Sequence, residues 1–201
     1  MSKTFWSEPF LWIHLAGLAL LPLCLEVVWL GLAVDAPQLP FWLELILLGA
    51  FGVLPILWMQ WYRPFDIFSL LILVVKPQQL TESQRKILSL FKTRKHRFFS
   101  LIASGIMLGV LWKIYCLTPL AATVALVLPQ SRILGLTLAG MAFLASNLFL
   151  QIPVSVLSVL MTSQSKFEAT EAIAQEAIAQ EFTLAGFRVR KILPFLSQVE
   201  V

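Results

Sequence analysis

Four stretches of this chain are apolar for long enough to cross a lipid bilayer, and that limits its fold more than any motif does. A hydrocarbon core about 30 Å thick takes about 20 helical residues at about 1.5 Å each. Residues 10–34, 41–62, 98–117 and 133–161 meet that length, and the last exceeds it, which predicts tilt or extension past the bilayer. Of the 201 residues, 59% are hydrophobic and 13% charged, against about 25% charged in soluble domains. So few charges cannot cover that much apolar surface in water. Disordered, collagen-like and disulfide-rich secreted classes fall on the same figures. The expectation is an all-α polytopic membrane protein. Four transmembrane helices occupy 1–163, with a loop at 63–97, and a helical low-complexity tail covers 164–201.

Basic residues orient the chain. The turn at 35–40 holds no Lys or Arg, whereas the loop holds Arg63, Lys76, Arg85, Lys86, Lys92, Arg94, Lys95 and Arg97. The tail adds Lys166, Arg188, Arg190 and Lys191. The positive-inside bias places loop, tail and both termini in the cytoplasm. The first span reads as a retained signal-anchor, being longer than a typical cleaved h-region. The apolar runs at 66–75 and 119–128 are too short to cross and are expected as interfacial or re-entrant pieces.

Thr81 and Gln84 have the spacing of a capping box, and Leu80, Ile87, Leu88 and Phe91 follow at helical spacing. This predicts an amphipathic helix lying in the cytoplasmic headgroup layer. Lys92, Arg94, Lys95 and Arg97, with Arg188, Arg190 and Lys191 in the tail, are either topology charges or a lipid-headgroup or partner site. Each basic residue near an anionic leaflet contributes about 1 kcal/mol. Nucleic acid is a poor fit to a basic run tied to a membrane. The tail repeats Glu171-Ala-Ile-Ala-Gln as Glu176-Ala-Ile-Ala-Gln. Five residues advance about 500° around a helix, so this is low-complexity helix and no coiled coil.

Within the spans, charge is costly and usually paired. Glu26, Glu44, Lys113 and Arg132 all fall in the outer half and are expected to face one another across the bundle. The alternative for Glu44, Lys113 and Arg132 is snorkelling to the interface. Glu26 is too deep and too short for that and needs a partner. His14 is read as hydrogen-bonding a neighbouring polar side chain. The alternative is pigment ligation, chlorophyll or carotenoid; otherwise no cofactor and no metal is expected. Cys24 and Cys116 form no metal spacing and are read as packing residues.

Small residues mark where helices approach closely. Gly105 and Gly109 make a GxxxG, and Gly135, Ala139, Ala142 and Ser146 make a stripe along the fourth span. They meet within the chain or on a partner. Pro22, Pro55 and Pro153 are expected to kink or loosen their spans. Trp6, Trp12, Trp42, Trp58, Trp61 and Tyr62 form an interfacial belt.

The string Phe5-Trp6-Ser7-Glu8-Pro9-Phe10-Leu11-Trp12-Ile13-His14-Leu15-Ala16-Gly17 resembles a family of cyanobacterial integral membrane proteins with a low-complexity tail. So do Trp58-Met59-Gln60-Trp61 before Arg63-Pro64-Phe65, and Lys76-Pro77 before Leu80-Thr81-Glu82. The resemblance implies a photosynthetic bacterium, a thylakoid or plasma membrane and an accessory role. It transfers no catalytic or binding residue. No Ser/His/Asp arrangement, HExxH or phosphate loop occurs in the chain. The expected function is therefore non-enzymatic: binding other integral membrane proteins, photosynthetic complexes among them, in assembly or organisation. A small transporter or channel is the alternative, with Asn147 and Gln151 as the polar residues available to line a route.

Overall fold

In the computed structural model, residues 5–70, 72–184, 186–190 and 192 are described. The first span is not one helix. It runs as α1 (Pro9–Ala16), a 3-10 segment at Gly17–Leu20, and α2 (Leu21–Ala33). Pro22 sits in the first turn of α2, where its missing N–H costs no hydrogen bond. The second span is α3 (Phe41–Tyr62), continuous through Pro55. After it come two short strands, β1 (Ser69–Leu70) and β2 (Leu73–Val75), then α4 (Glu82–Leu90). The third span is α5 (Arg94–Cys116), followed by a short α6 (Thr118–Ala125), and the fourth is α7 (Arg132–Leu160), continuous through Pro153. The tail forms α8 (Gln164–Glu168), α9 (Gln175–Glu181) and β3 (Phe187–Val189). Pro22 alone thus coincides with an interrupted span.

The four spans carry mean hydropathies between 1.7 and 2.1, and no more than 33% of each apolar window is buried within the chain. The remaining apolar surface faces outward, as lipid requires and water forbids. Inside the bundle, Val28 and Leu32 of α2 meet Leu48 and Val53 of α3, Met107 and Leu111 of α5, and Ala139 and Phe143 of α7. Gly31 and Gly135 bring two helices into backbone contact. A Cβ on Gly135 would lie 2.5 Å from the Gly31 carbonyl oxygen. The small-residue stripe of α7 begins here, packed on α2, with Ala139 and Ser146 also buried.

A second core lies at the loop-and-tail end, and it corrects several expectations. The run at 66–75 forms strands: β1 pairs antiparallel with β2, and β2 pairs parallel with β3 from the tail. The fold is mostly helical but not all-α. Gly186, at φ +108°, lets the tail pass the Ile72 backbone, where a Cβ would lie 2.2 Å from the Ile72 carbonyl. α4 forms with the expected capping box, but Ile87, Leu88 and Phe91 are covered by protein. Phe5, Phe10, Ile67, Phe68, Phe167, Ile178 and Phe182 close over them. The apolar side of α4 is therefore core, with none of it left for headgroups. The run at 119–128 is largely α6, with Ala121 and Ala125 buried in the bundle.

Among its described residues the low-complexity tail forms two short helices rather than one. The break at 169–174 lets Ile173 pack against the second core and Ile178 sit wholly inside it. A single helix through a five-residue repeat would send those isoleucines in different directions.

Candidate functional site

The most concentrated charge in the bundle lies at the end where the helical hairpins turn. Glu44 begins α3 and Arg132 begins α7, and both are buried. Arg132 Nε donates to Glu44 Oε1 at 3.0 Å, and its Nη2 donates to Oε2. Nη1 donates to the carbonyls of Leu32 at 2.7 Å and Val34 at 3.0 Å, which cap the end of α2. Tyr115 Oη of α5 lies 3.4 Å from Glu44 Oε2. One guanidinium thereby ties three spans together. Burying two ions is tolerable only with this density of compensating bonds.

The expected four-residue pairing holds only for these two. Glu26 and Lys113 are exposed, and among the described residues neither has an ion-pair partner. Helix geometry gives the reason. α2 turns Val28 inward and α5 turns Leu111 inward, and a residue two positions away lies about 200° around the helix. Both side chains therefore point out of the bundle. Cys24 is half-buried, whereas Cys116, read as a packing residue, is exposed.

A polar seam runs between α3, α5 and α7, and of it the sequence reading named only Asn147 and Gln151. Ser100 Oγ donates to Gln151 Oε1 at 2.7 Å, Gln151 Nε2 donates to Ser104 Oγ at 3.0 Å, and Ser155 Oγ donates to the Gln151 carbonyl at 2.6 Å. Asn147 Nδ2 donates to the Phe143 carbonyl at 2.9 Å. Gln60 and His96 are buried beside the seam, with the His96 ring against the Gln60 backbone. The signal was present as two ladders at i, i+4 and i+8: His96, Ser100 and Ser104 on α5, and Asn147, Gln151 and Ser155 on α7. The seam fills only half the bundle. Toward the hairpin end it meets Met107, Leu111, Phe143 and Val28, all buried and apolar.

The basic residues of the loop are largely spent on the tail. Arg63 Nη2 donates to the Ala179 carbonyl at 2.8 Å, and Arg85 Nη1 donates to the Ile173 carbonyl at 3.0 Å. Ser89 Oγ donates to the Glu171 carbonyl at 2.8 Å, and Lys92 Nζ meets Glu181 Oε2 at 2.6 Å. Of the expected headgroup residues, Lys92 is therefore engaged internally, while Lys95, Arg97, Arg188 and Arg190 are exposed. The Arg94 side chain and Lys191 lie outside the described residues. The N-terminal segment joins the same module. Gln84 Nε2 donates to Glu8 Oε2 at 3.3 Å, and burial pushes the Glu8 carboxyl above its ordinary range.

Asp66 holds the junction between loop and tail. Its N–H donates to the Thr183 carbonyl at 3.2 Å, and its Oδ1 accepts from the Phe68 N–H at 2.9 Å. Burial pushes its carboxyl up to about 7. His14 reaches this region from α1. Its Nδ1 lies 2.8 Å from the Phe10 carbonyl, and its ring also faces the Ser69 backbone. Its partners are backbone groups and not the polar side chain expected. Among the described residues no group of three or more His, Cys, Asp or Glu could hold a metal ion.

The outward faces differ in kind. Trp12, Trp42, Trp58 and Trp61 are exposed near helix ends, where a belt was expected. Apolar grooves lie on both sides of α3, one against Gly140 and Met141 of α7 and one against Leu108 and Trp112 of α5. Gly105 and Gly109 have nothing within 4 Å of an added Cβ. The GxxxG of α5 thus faces outward and packs against no other helix among the described residues.

A model of low-complexity tail membrane protein-like chains matches residues 7–194. The chain belongs to that family. It is a membrane protein, with four helical spans among the described residues long and apolar enough to cross a bilayer. Among curated proteins and solved structures, none matches the chain. In this family member the described part of the tail is folded back against the loop, so its repetitive composition does not mean it lacks structure.

Proposed function

We propose that this is a non-enzymatic accessory protein of the membrane that binds other integral membrane proteins through the outward face of its first span. One observation carries the reading. Glu26 stands exposed on α2, within a span of mean hydropathy 2.1, with no ion-pair partner among the described residues. A carboxylate facing hydrocarbon is unfavourable by several kcal/mol unless a donor reaches it, and a second protein can supply that donor. The basic loop and tail favour a cytoplasmic module and cytoplasmic termini. The sequence resemblance favours a thylakoid or plasma membrane, with photosynthetic complexes among the partners. Purification of the tagged full chain from native membranes in mild detergent tests the reading. A membrane protein retained by the wild type and lost with Glu26→Gln is expected. A chain that migrates as a monomer with nothing bound, or retains the same proteins after the substitution, overturns it.

The polar seam favours a second reading, a small transporter. Gln60, His96, Ser100, Ser104, Asn147 and Gln151 supply more polar lining than Asn147 and Gln151 alone. The apolar plug at Met107, Leu111 and Phe143 argues against an open route. Liposome flux that responds to Asn147→Leu would favour this reading over the first.

A further inference from the structure

We propose that the partner at Glu26 is a second copy of this chain, and that Glu26 of each protomer pairs with Lys113 of the other. This rests on reading the outward face of α2 as a protein-binding face, and it names what binds there. Glu26 and Lys113 carry opposite charges, both are exposed, and no ion pair joins them within the chain. They also lie at one depth. Trp29 Nε1 of α2 donates to the Leu117 carbonyl at the end of α5 at 2.8 Å, which fixes the register of two helices running the same way. Glu26 is three residues before Trp29 and Lys113 four before Leu117, so they lie about 4.5 and about 6 Å along their helices from those two residues.

A two-fold axis along the membrane normal keeps two copies at equal depth and makes their interface self-complementary. An acid and a base at matched depth on neighbouring helices then form two reciprocal pairs, leaving neither charge facing lipid alone. A partner offering a single basic residue would leave Lys113 unsatisfied. The α5 face adjoining Lys113 permits close approach. Gly109 lies one turn before Lys113 and Gly105 one turn before that, both open, so a second helix can come near without meeting side chains.

The test uses charge exchange in the purified full chain reconstituted in lipid nanodiscs or liposomes, with dimer fraction read by single-molecule photobleaching. Wild type is expected to dimerise. Glu26→Lys alone and Lys113→Glu alone are each expected to lose the dimer, because each homodimer then holds two like-charge contacts. Glu26→Lys chains mixed with Lys113→Glu chains are expected to form heterodimers, since both contacts are again of opposite sign. A helical circular dichroism spectrum unchanged from wild type in each variant excludes misfolding as the cause. A wild type that stays monomeric overturns the proposal, as do single variants that still dimerise. So does the absence of heterodimers from the mixture, which is the result expected if Glu26 and Lys113 pair within one chain. A monomeric wild type that still retains another membrane protein in a Glu26-dependent manner overturns only the second-copy assignment. A monomeric chain that retains nothing overturns the proposed function as well.

Discussion

Arg132 of α7 joins Glu44 of α3 through two nitrogens while its third caps the carbonyl end of α2, so the fourth span locks the first two at their turn. Removing one charge leaves the other buried without compensation. Arg132→Ala is expected to destabilise the bundle by roughly 3–5 kcal/mol. Glu44→Gln is expected to cost less, because Arg132 keeps the Leu32 and Val34 carbonyls and one of the two side-chain oxygens it had. Unfolding of both variants in the same detergent, followed by circular dichroism, checks the order.

Glycine behaves differently on α7 and α5. Gly135→Ala places a methyl 2.5 Å from the Gly31 carbonyl oxygen and is expected to cost about 1–3 kcal/mol through forced separation of the helices. Gly105→Ala and Gly109→Ala meet nothing within 4 Å and are expected to leave the thermal midpoint of the monomer unchanged or slightly raised. Differential scanning fluorimetry on all three distinguishes the inner contact from the open one.

The Asp66 carboxyl makes the loop-and-tail module sensitive to pH. Its folded value is raised from 3.8 to about 7. Stability from this group is full below the unfolded value, declines from about pH 4 as the unfolded chain ionises, and levels off above about pH 7. The integrated loss is at most roughly 4 kcal/mol. Asp66→Asn is expected to flatten that profile and to raise module stability at pH 8 relative to wild type. Hydrogen exchange at the 66–75 segment between pH 4 and 8 reads it directly.

Tail docking depends on apolar burial more than on its ion pair. Phe182 is fully buried, and Phe182→Ala is expected to weaken docking by about 3–5 kcal/mol. Lys92→Ala removes a contact to Glu181 in which both side chains are over a third exposed, and is expected to cost under about 1 kcal/mol. Limited proteolysis at 169–174 should accelerate strongly for the first variant and little for the second.

Span number and approximate span limits were readable because bilayer thickness dictates length directly. Glu44 with Arg132 was readable too, since two opposite charges at matched depth have few other options. The outward aim of Glu26 was not, because the rotation of α2 follows from Val28, Gly31 and Leu32 packing on α7, and depth alone carries no angle. The polar seam was legible as two ladders of period four, but Ser and His do not stand out by charge. The tail was hardest. Its strand partner β2 and its covering aromatics lie far away in the chain, and an alanine-rich repeat favours helix locally while the core it meets breaks that helix into two.

The parallel pairing of β2 with β3 has a consequence for biogenesis. Ribosomes deliver the loop strand before the third and fourth spans exist, and deliver its neighbour only after both. The module can therefore close only once the last span has emerged on the same side as the loop. A chain whose fourth span failed to insert would leave Val74 paired with Ser69 but without Arg188 on its other side, and the aromatic cluster uncovered for quality-control proteases to find.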